Sequence, residues 1–340
     1  MQIVYLSNRP TVLRETWEHV RRHMPFVTRA LVIAPGNLTG EFGLEDDASV
    51  TFVDESEISG RSGAELAALN HVTRNVTLRR AAVDAGLVED VFVLSDDDYR
   101  PIKPIRREFF TDGKRDRSYY FGDLESWTGY GTDFDDAQRI TGAVLAYLGA
   151  PRLACAVHHP QIMRRDLWIE AFELWDSLRD DNLICEWAWY FNVSRWRHPE
   201  RFSTNEVYRT LCWPPHLHEF ARLYRQPEYQ FENFYPEFYE QGRVFEGLPR
   251  TVPADDATAA RVAVDKLVRW SELGFAVGRL DFANTPDEPW TKGDWKRRVA
   301  FRGLWAARKV YDYASLEDRA EANRIHAGDD ARDRFTPYEG

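Results

Sequence analysis

Four short apolar runs, Ile3–Leu6, Ala30–Ala34, Val50–Val53 and Val91–Leu94, constrain the fold of this chain more than any other feature. Each has the length of a strand, and between them lie stretches with helical spacing. These are Thr11–Arg22 and Ala64–Ala85, the latter with Leu66, Leu69, Val72, Val76 and Leu78 approximately on one repeat. Strands alternating with amphipathic helices build a sheet covered by helices on both faces. Val91–Leu94 is apolar at every position, as a central strand buried on both faces has to be. The layout predicts an α/β fold: a nucleotide-binding, Rossmann-like mixed sheet flanked by helices.

Directly after that strand stand Ser95 and three acids, Asp96, Asp97 and Asp98. A carboxylate pushed towards a core without a partner is costly, so the run calls for a cation or for a solvent-facing, helix-capping turn. In extended geometry alternate side chains share a face, which predicts Asp96 and Asp98 together and Asp97 pointing away. A hard divalent ion, Mg²⁺ or Mn²⁺, takes one or two such carboxylates and completes its shell with the phosphates of a nucleotide. It would neutralise charge building on a leaving phosphate. Strand ends of this kind are also where α/β sheets place their ligands.

Beyond Asp98 the pattern predicts helices at Asp135–Leu148, Asp166–Leu178, Ala257–Leu273 and Trp295–Tyr313, and a strand at Leu153–Val157. Trp187–Pro249 is dense in aromatics and prolines. The expected organisation is a nucleotide- and metal-binding domain over 1–190, a helical, aromatic-rich acceptor lobe packed on it over 191–325, and a polar tail over 326–340. A net charge of −11 disfavours long-range attraction to nucleic acid, although Lys103–Arg117 and Lys292–Lys309 are locally basic. No apolar run is long enough to span a bilayer, and MQIVYLSNRP has no leader-like pattern, so a cytoplasmic location is expected. Cys155, Cys185 and Cys212 are too widely spaced to indicate a disulfide framework or a paired-cysteine zinc site. HLH at His216–His218 has no nearby partner for zinc either.

The apolar strand with its DDD resembles the DXD-bearing fourth strand of GT-A glycosyltransferases, over roughly residues 1–190. More narrowly, SDDDYRPIKPIRREFFTDG is similar to a block of the Stealth-type sugar-phosphate transferases, and His158-His159-Pro160 to their His-x-Pro block. The opening carries Leu6-Ser7-Asn8-Arg9 where that family has Trp-Val-Asp-Gly. The resemblance implies a nucleotide-sugar donor, a UDP-sugar foremost, and a Mn²⁺ or Mg²⁺ ion on Asp96 and Asp98. It places Ser7, Asn8, Arg9, Asp54 or Glu55, Asn70, Arg74, Asn75, Asp96 and Asp97 at the donor, with Arg79 within reach along the same helix though not all on one face.

Asp54 has a physical case as an acceptor for a ribose or base, and an equal one as a cap for the turn after it. Arg74 would meet donor phosphates through its planar fork. Only one of His158 and His159 can face the site from a strand; the resemblance selects His159, as a metal ligand or proton carrier. Glu186 stands where inverting enzymes of the GT-A type keep a general base, and also where a helix N-terminus favours any acid. Asp123, Glu125, Trp127 and Tyr130 are candidates for an acceptor pocket, and Asp287, Glu288 and Trp290 have only a loose counterpart.

Three functions compete. The first is metal-dependent transfer of a sugar from a nucleotide-sugar to an acceptor hydroxyl. The second is transfer of a sugar-1-phosphate from the same donor, and the third is a non-catalytic carbohydrate- or nucleic-acid-binding module. A glycan, a lipid-linked sugar, a metabolite or modified nucleic acid would each suit as acceptor, and the oligomeric state is not legible.

Overall fold

The computed structural model describes residues 1–127, 132–207, 209–211, 230–241 and 245–280. Tyr130, Cys212, His216–His218, Asp287, Glu288, Trp290, the basic Lys292–Lys309, the helix expected at Trp295–Tyr313 and the tail lie outside the described residues.

The chain opens with β1 (Gln2–Leu6) and α1 (Pro10–His23), in which Pro10 takes the first turn, where its missing N–H is not needed. Then come β2 (Arg29–Ala34), β3 (Val50–Asp54), α2 (Glu55–Ser59), α3 (Gly63–Ala67), α4 (His71–Asp84) and β4 (Val91–Asp96). The single helix expected over Ala64–Ala85 is therefore two. Asn70 leaves helical geometry and its side chain accepts from the Thr73 N–H at 2.8 Å, while Ser62 and Glu65 form a capping box at the start of α3. Local caps win over continuation of the apolar repeat.

Further along are β5 (Tyr99–Pro101), β6 (Thr111–Asp112), β7 (Arg115–Tyr120), β8 (Gly122–Asp123), α5 (Asp133–Leu148), β9 (Leu153–Ala154), β10 (Gln161–Arg164), α6 (Arg165–Leu178) and α7 (Glu186–Arg197). They are followed by β11 (Phe202–Val207), β12 (Thr210–Leu211), β13 (Phe231–Asn233) and α8 (Asp256–Leu280). The strand expected over Leu153–Val157 pairs only at Leu153–Ala154, against β8.

The main sheet runs β10-β4-β1-β2-β3, with β1 to β4 parallel and β10 antiparallel on the edge of β4. The order 3-2-1-4 of its parallel part is that of the first four strands of a doubly wound sheet. Alternation in the strands sorts the core into two layers. Ile3, Tyr5, Val32 and Val93 pack with Leu13, Trp17 and Val20 of α1. Val4, Leu31, Ile33, Phe92 and Leu94 pack on the other side with Val76, Trp168 and Trp189 from the remaining helices. Leu6 lies opposite Asp96 in the register, so the carboxyl ends of β1 and β4 open side by side.

The aromatic-rich elaboration after residue 190 carries α8, as expected, and adds three strands. β11 pairs with β7, and β12 lies on β13, which pairs antiparallel with β5 next to the acidic run.

Candidate active site

Strand geometry ends at Asp96, and Asp97 and Asp98 form a turn before β5. The alternation expected of the three acids does not extend past Asp96, which corrects the expected outward aim of Asp97. Asp97 points into the structure: Ser7 Oγ donates to its Oδ2 at 2.6 Å and Arg9 Nε to the same oxygen at 3.1 Å. The Arg9 guanidinium also reaches Asp98 Oδ2, at 3.0 Å. On the other side Arg79 of α4 is forked between Asp96 and Glu186, the first residue of α7. Arg79 also lies 5.7 Å from the ring centroid of Trp187.

The four carboxyl groups of Asp96, Asp97, Asp98 and Glu186 thus face two guanidiniums, two positive charges short of neutrality when all four are ionised. Burial and the charge of Asp97 push the Asp98 carboxyl up to about 7. Burial also raises Asp97, against Arg9 and Ser7, and raises Glu186, against Arg79. Burial opposes ionisation of Asp96 too, but Arg79 and the Tyr99 hydroxyl hold it below the usual carboxylate range. The cluster opens to solvent at Asp96 and Arg9, whose side chains are 31% and 39% exposed, and Asn8 is exposed beside them.

Excess negative charge in a largely closed cluster fits a cation. Among the described residues no three His, Cys, Asp or Glu side chains are arranged to hold a metal by themselves. Two carboxylates alone would leave the shell of an ion such as Mg²⁺ or Mn²⁺ to be completed by a bound ligand's oxygens.

His159 does not belong to this cluster, a second correction. It is fully buried, its Nδ1 donates to the Pro160 carbonyl at 2.8 Å, and its ring stacks on Phe231 and meets Tyr119 edge-on at 4.7 Å. Burial pushes it down to about 3, so it stands neutral among these rings. His158 takes the inward place. Its φ of 53° is left-handed, uncommon for a residue with a Cβ, and its ring lies edge-on to Tyr99 at 5.8 Å. Burial lowers its pKa while the charge of Asp96 opposes.

Neutral burial of His159, and of His23, which burial pushes down to about 4, predicts acid sensitivity. Both folded-state values lie below the unfolded 6.5, so below that pH the unfolded chain takes up protons that the fold refuses. Stability is whole above pH 6.5 and falls steadily towards pH 4, by about 2 kcal/mol at pH 5 for His159 alone. Urea midpoints at pH 7 and pH 5 test this, and in His159→Leu the drop between them should shrink.

The remaining expected donor contacts are engaged within the protein. Arg74 pairs with the buried Glu55, and Asn75 contacts the His71 ring at 3.1 Å. Asn70 serves as the α4 cap described above. Asp54 caps α2 by accepting from Ser56 N at 2.7 Å, and its other oxygen packs against Gly36. A Cβ on Gly36 would stand 1.9 Å from that oxygen. Gly36→Ala should therefore displace Asp54 and cost about 1 kcal/mol, the usual worth of a helix cap, in thermal denaturation. Asp123 caps Glu125 N, Glu125 pairs with Arg152, and the Trp127 indole donates to Asp135, so they hold their own loop together.

Arg79, which the sequence places within reach along the helix beside Asn70 and Asn75, is the helix residue that reaches Asp96 and Glu186. Its signal was present: Val72, Val76, Arg79 and Val83 share one apolar stripe of α4, where an unpaired arginine would not be tolerated.

No family model matches the sequence, and no curated protein matches it. Several solved structures show some similarity to this chain. Mouse xyloside xylosyltransferase 1, in its apo form, is 11% identical with a TM-score of 0.40, over 70% of this chain and 99% of that one. The galactosyltransferase LgtC with donor and acceptor sugar analogues is 13% identical with a TM-score of 0.37, over 84% of this chain and 98% of that one. An active-site mutant of LgtC is 14% identical, with a TM-score of 0.34. At such TM-scores no residue correspondence is fixed.

Proposed function

We propose that the chain is a metal-dependent glycosyltransferase that takes a sugar from a nucleotide-sugar, a UDP-sugar foremost, to an acceptor hydroxyl. The observation that carries this is the acidic cluster itself, with four carboxylates against two guanidiniums at the adjoining carboxyl ends of two parallel strands. Such a place suits a diphosphate whose charge is shared between a divalent ion and Arg9. Asp96 and Asp98 would hold the ion, which on binding would stabilise the leaving diphosphate. Glu186, raised by burial, is suited to accept a proton from the acceptor.

A thermal-shift screen of nucleotide-sugars with and without Mn²⁺ tests the reading. A donor at a hundred times its Kd is expected to add about 2.7 kcal/mol of stability, with Mn²⁺ only. If no nucleoside diphosphate or nucleotide-sugar raised the Tm in a metal-dependent way, the reading would be abandoned.

Transfer of a sugar-1-phosphate is the second reading. In its favour, the two blocks similar to the sugar-phosphate transferases meet in space, with Phe109 edge-on to His159 at 5.6 Å. Product mass separates the two, because attack at phosphorus keeps a phosphate in the product.

A further inference from the structure

Behind the acidic turn lies an ionic network that the site chemistry leaves unexplained. Arg100, two residues past Asp98, is wholly buried, and Glu232 and Lys266 are each 1% exposed. Lys266 Nζ donates to Glu232 Oε1 at 2.9 Å, and Arg100 Nε donates to the same oxygen. Tyr239 completes the carboxylate from the other side, donating to Oε2 at 3.0 Å. Arg100 Nη1 donates to the Arg250 carbonyl at 2.8 Å, and its guanidinium lies 3.6 Å from the ring centroid of Phe234. All of these partners come from beyond residue 230; from the first part of the chain Glu15 of α1 joins them, 4.0 Å from Arg100 and paired with Arg250. The segment beyond residue 230 touches the turn directly, since Phe234 N donates to the Asp98 carbonyl at 2.7 Å.

A buried ion triad is a poor source of stability, because packed apolar side chains of the same volume serve as well or better. What it supplies is direction: the guanidinium fork accepts partners in one geometry only. We infer that Arg100, Glu232 and Lys266 are positioning residues that dock α8 and β13 behind the acidic turn and so fix where Asp98 stands. The inference rests on reading that turn as the donor site.

Lys266→Met tests it in the full chain. Folding should survive, since Arg100 and Glu232 remain a one-to-one pair. Loss of one charge-assisted hydrogen bond should speed hydrogen exchange of the Phe234 amide by about tenfold and raise the half-saturation of UDP with Mn²⁺ by a similar factor. Lys266→Arg should restore both. Tyr239→Phe removes only a hydroxyl from the network and should move both readouts the same way by a smaller factor, whatever becomes of the methionine variant. Faster exchange along α8 with an unchanged Phe234 amide in either variant would overturn the inference and leave α8 as mere packing. Should the wild type not bind UDP with Mn²⁺, the proposed function fails, while the Phe234 amide still decides the question of positioning.

Discussion

Replacing Arg79 by methionine is expected to remove about 3–5 kcal/mol of stability at pH 7, the usual cost of breaking a buried ion pair from one side. Arg79 is the partner of both Asp96 and Glu186, and it is itself 3% exposed. Without it two carboxylates are stranded beside Asp97 and Asp98. Urea denaturation reads the loss, and its pH dependence identifies the cause. The stranded acids would have raised folded-state pKa values, so the deficit should be full near neutrality and shrink as falling pH protonates them. Adding Glu186→Gln to the variant should recover part of the loss. A deficit that stayed the same from pH 7 to pH 5 would mean that lost packing, and not stranded charge, is responsible.

Asp98→Asn is expected to do the opposite to stability while abolishing function. Its carboxyl is pushed up to about 7 by burial and by Asp97, so the charged form is held against its preference, and a neutral amide should leave the unliganded protein as stable or more so. The metal-dependent Tm rise with a nucleotide should disappear. Turnover should fall about a hundredfold or more, since an ion at a developing phosphate charge contributes several kcal/mol. Calorimetry of Mn²⁺ with UDP, alongside the thermal shift, checks this; wild-type affinity in the variant would remove Asp98 from the site. Stability that rises as binding is lost is the mark of a residue kept for function.

Those predictions draw on residues of unequal visibility in the sequence. The parallel strands and α1 were legible because burial on one or two faces imposes a period that short apolar runs display directly. The acidic cluster was legible through its position after β4, and Arg9 through the resemblance. Side-chain direction beyond the strand ends was not. Alternation holds only while the ladder does, and the ladder ends at Asp96 and, near the histidines, at Ala154. Which histidine turns inward is decided by a nest of Phe109, Tyr119 and Phe231 around His159, rings far away in sequence. Arg74 and Arg79, five residues apart on α4, face different acids, which the sequence does not reveal. Glu55, the partner that occupies Arg74, belongs to a one-turn helix that no periodicity announces.

The wide separation of the cluster's members has a bearing on how the protein is made. Ser7 is bonded to Asp97 across 90 positions and Arg79 to Glu186 across 107. Contacts this remote form late, because long loops have to close before they are rewarded. During synthesis the aspartates emerge long before Glu186, so a nascent chain that has already paired β1 with β4 still holds Arg79 with one partner in place of two. Ligand affinity then becomes a reporter of finished folding: intermediates that possess the sheet but have not yet docked α7 would be expected to bind poorly, and a bound nucleotide would select the chains that have closed.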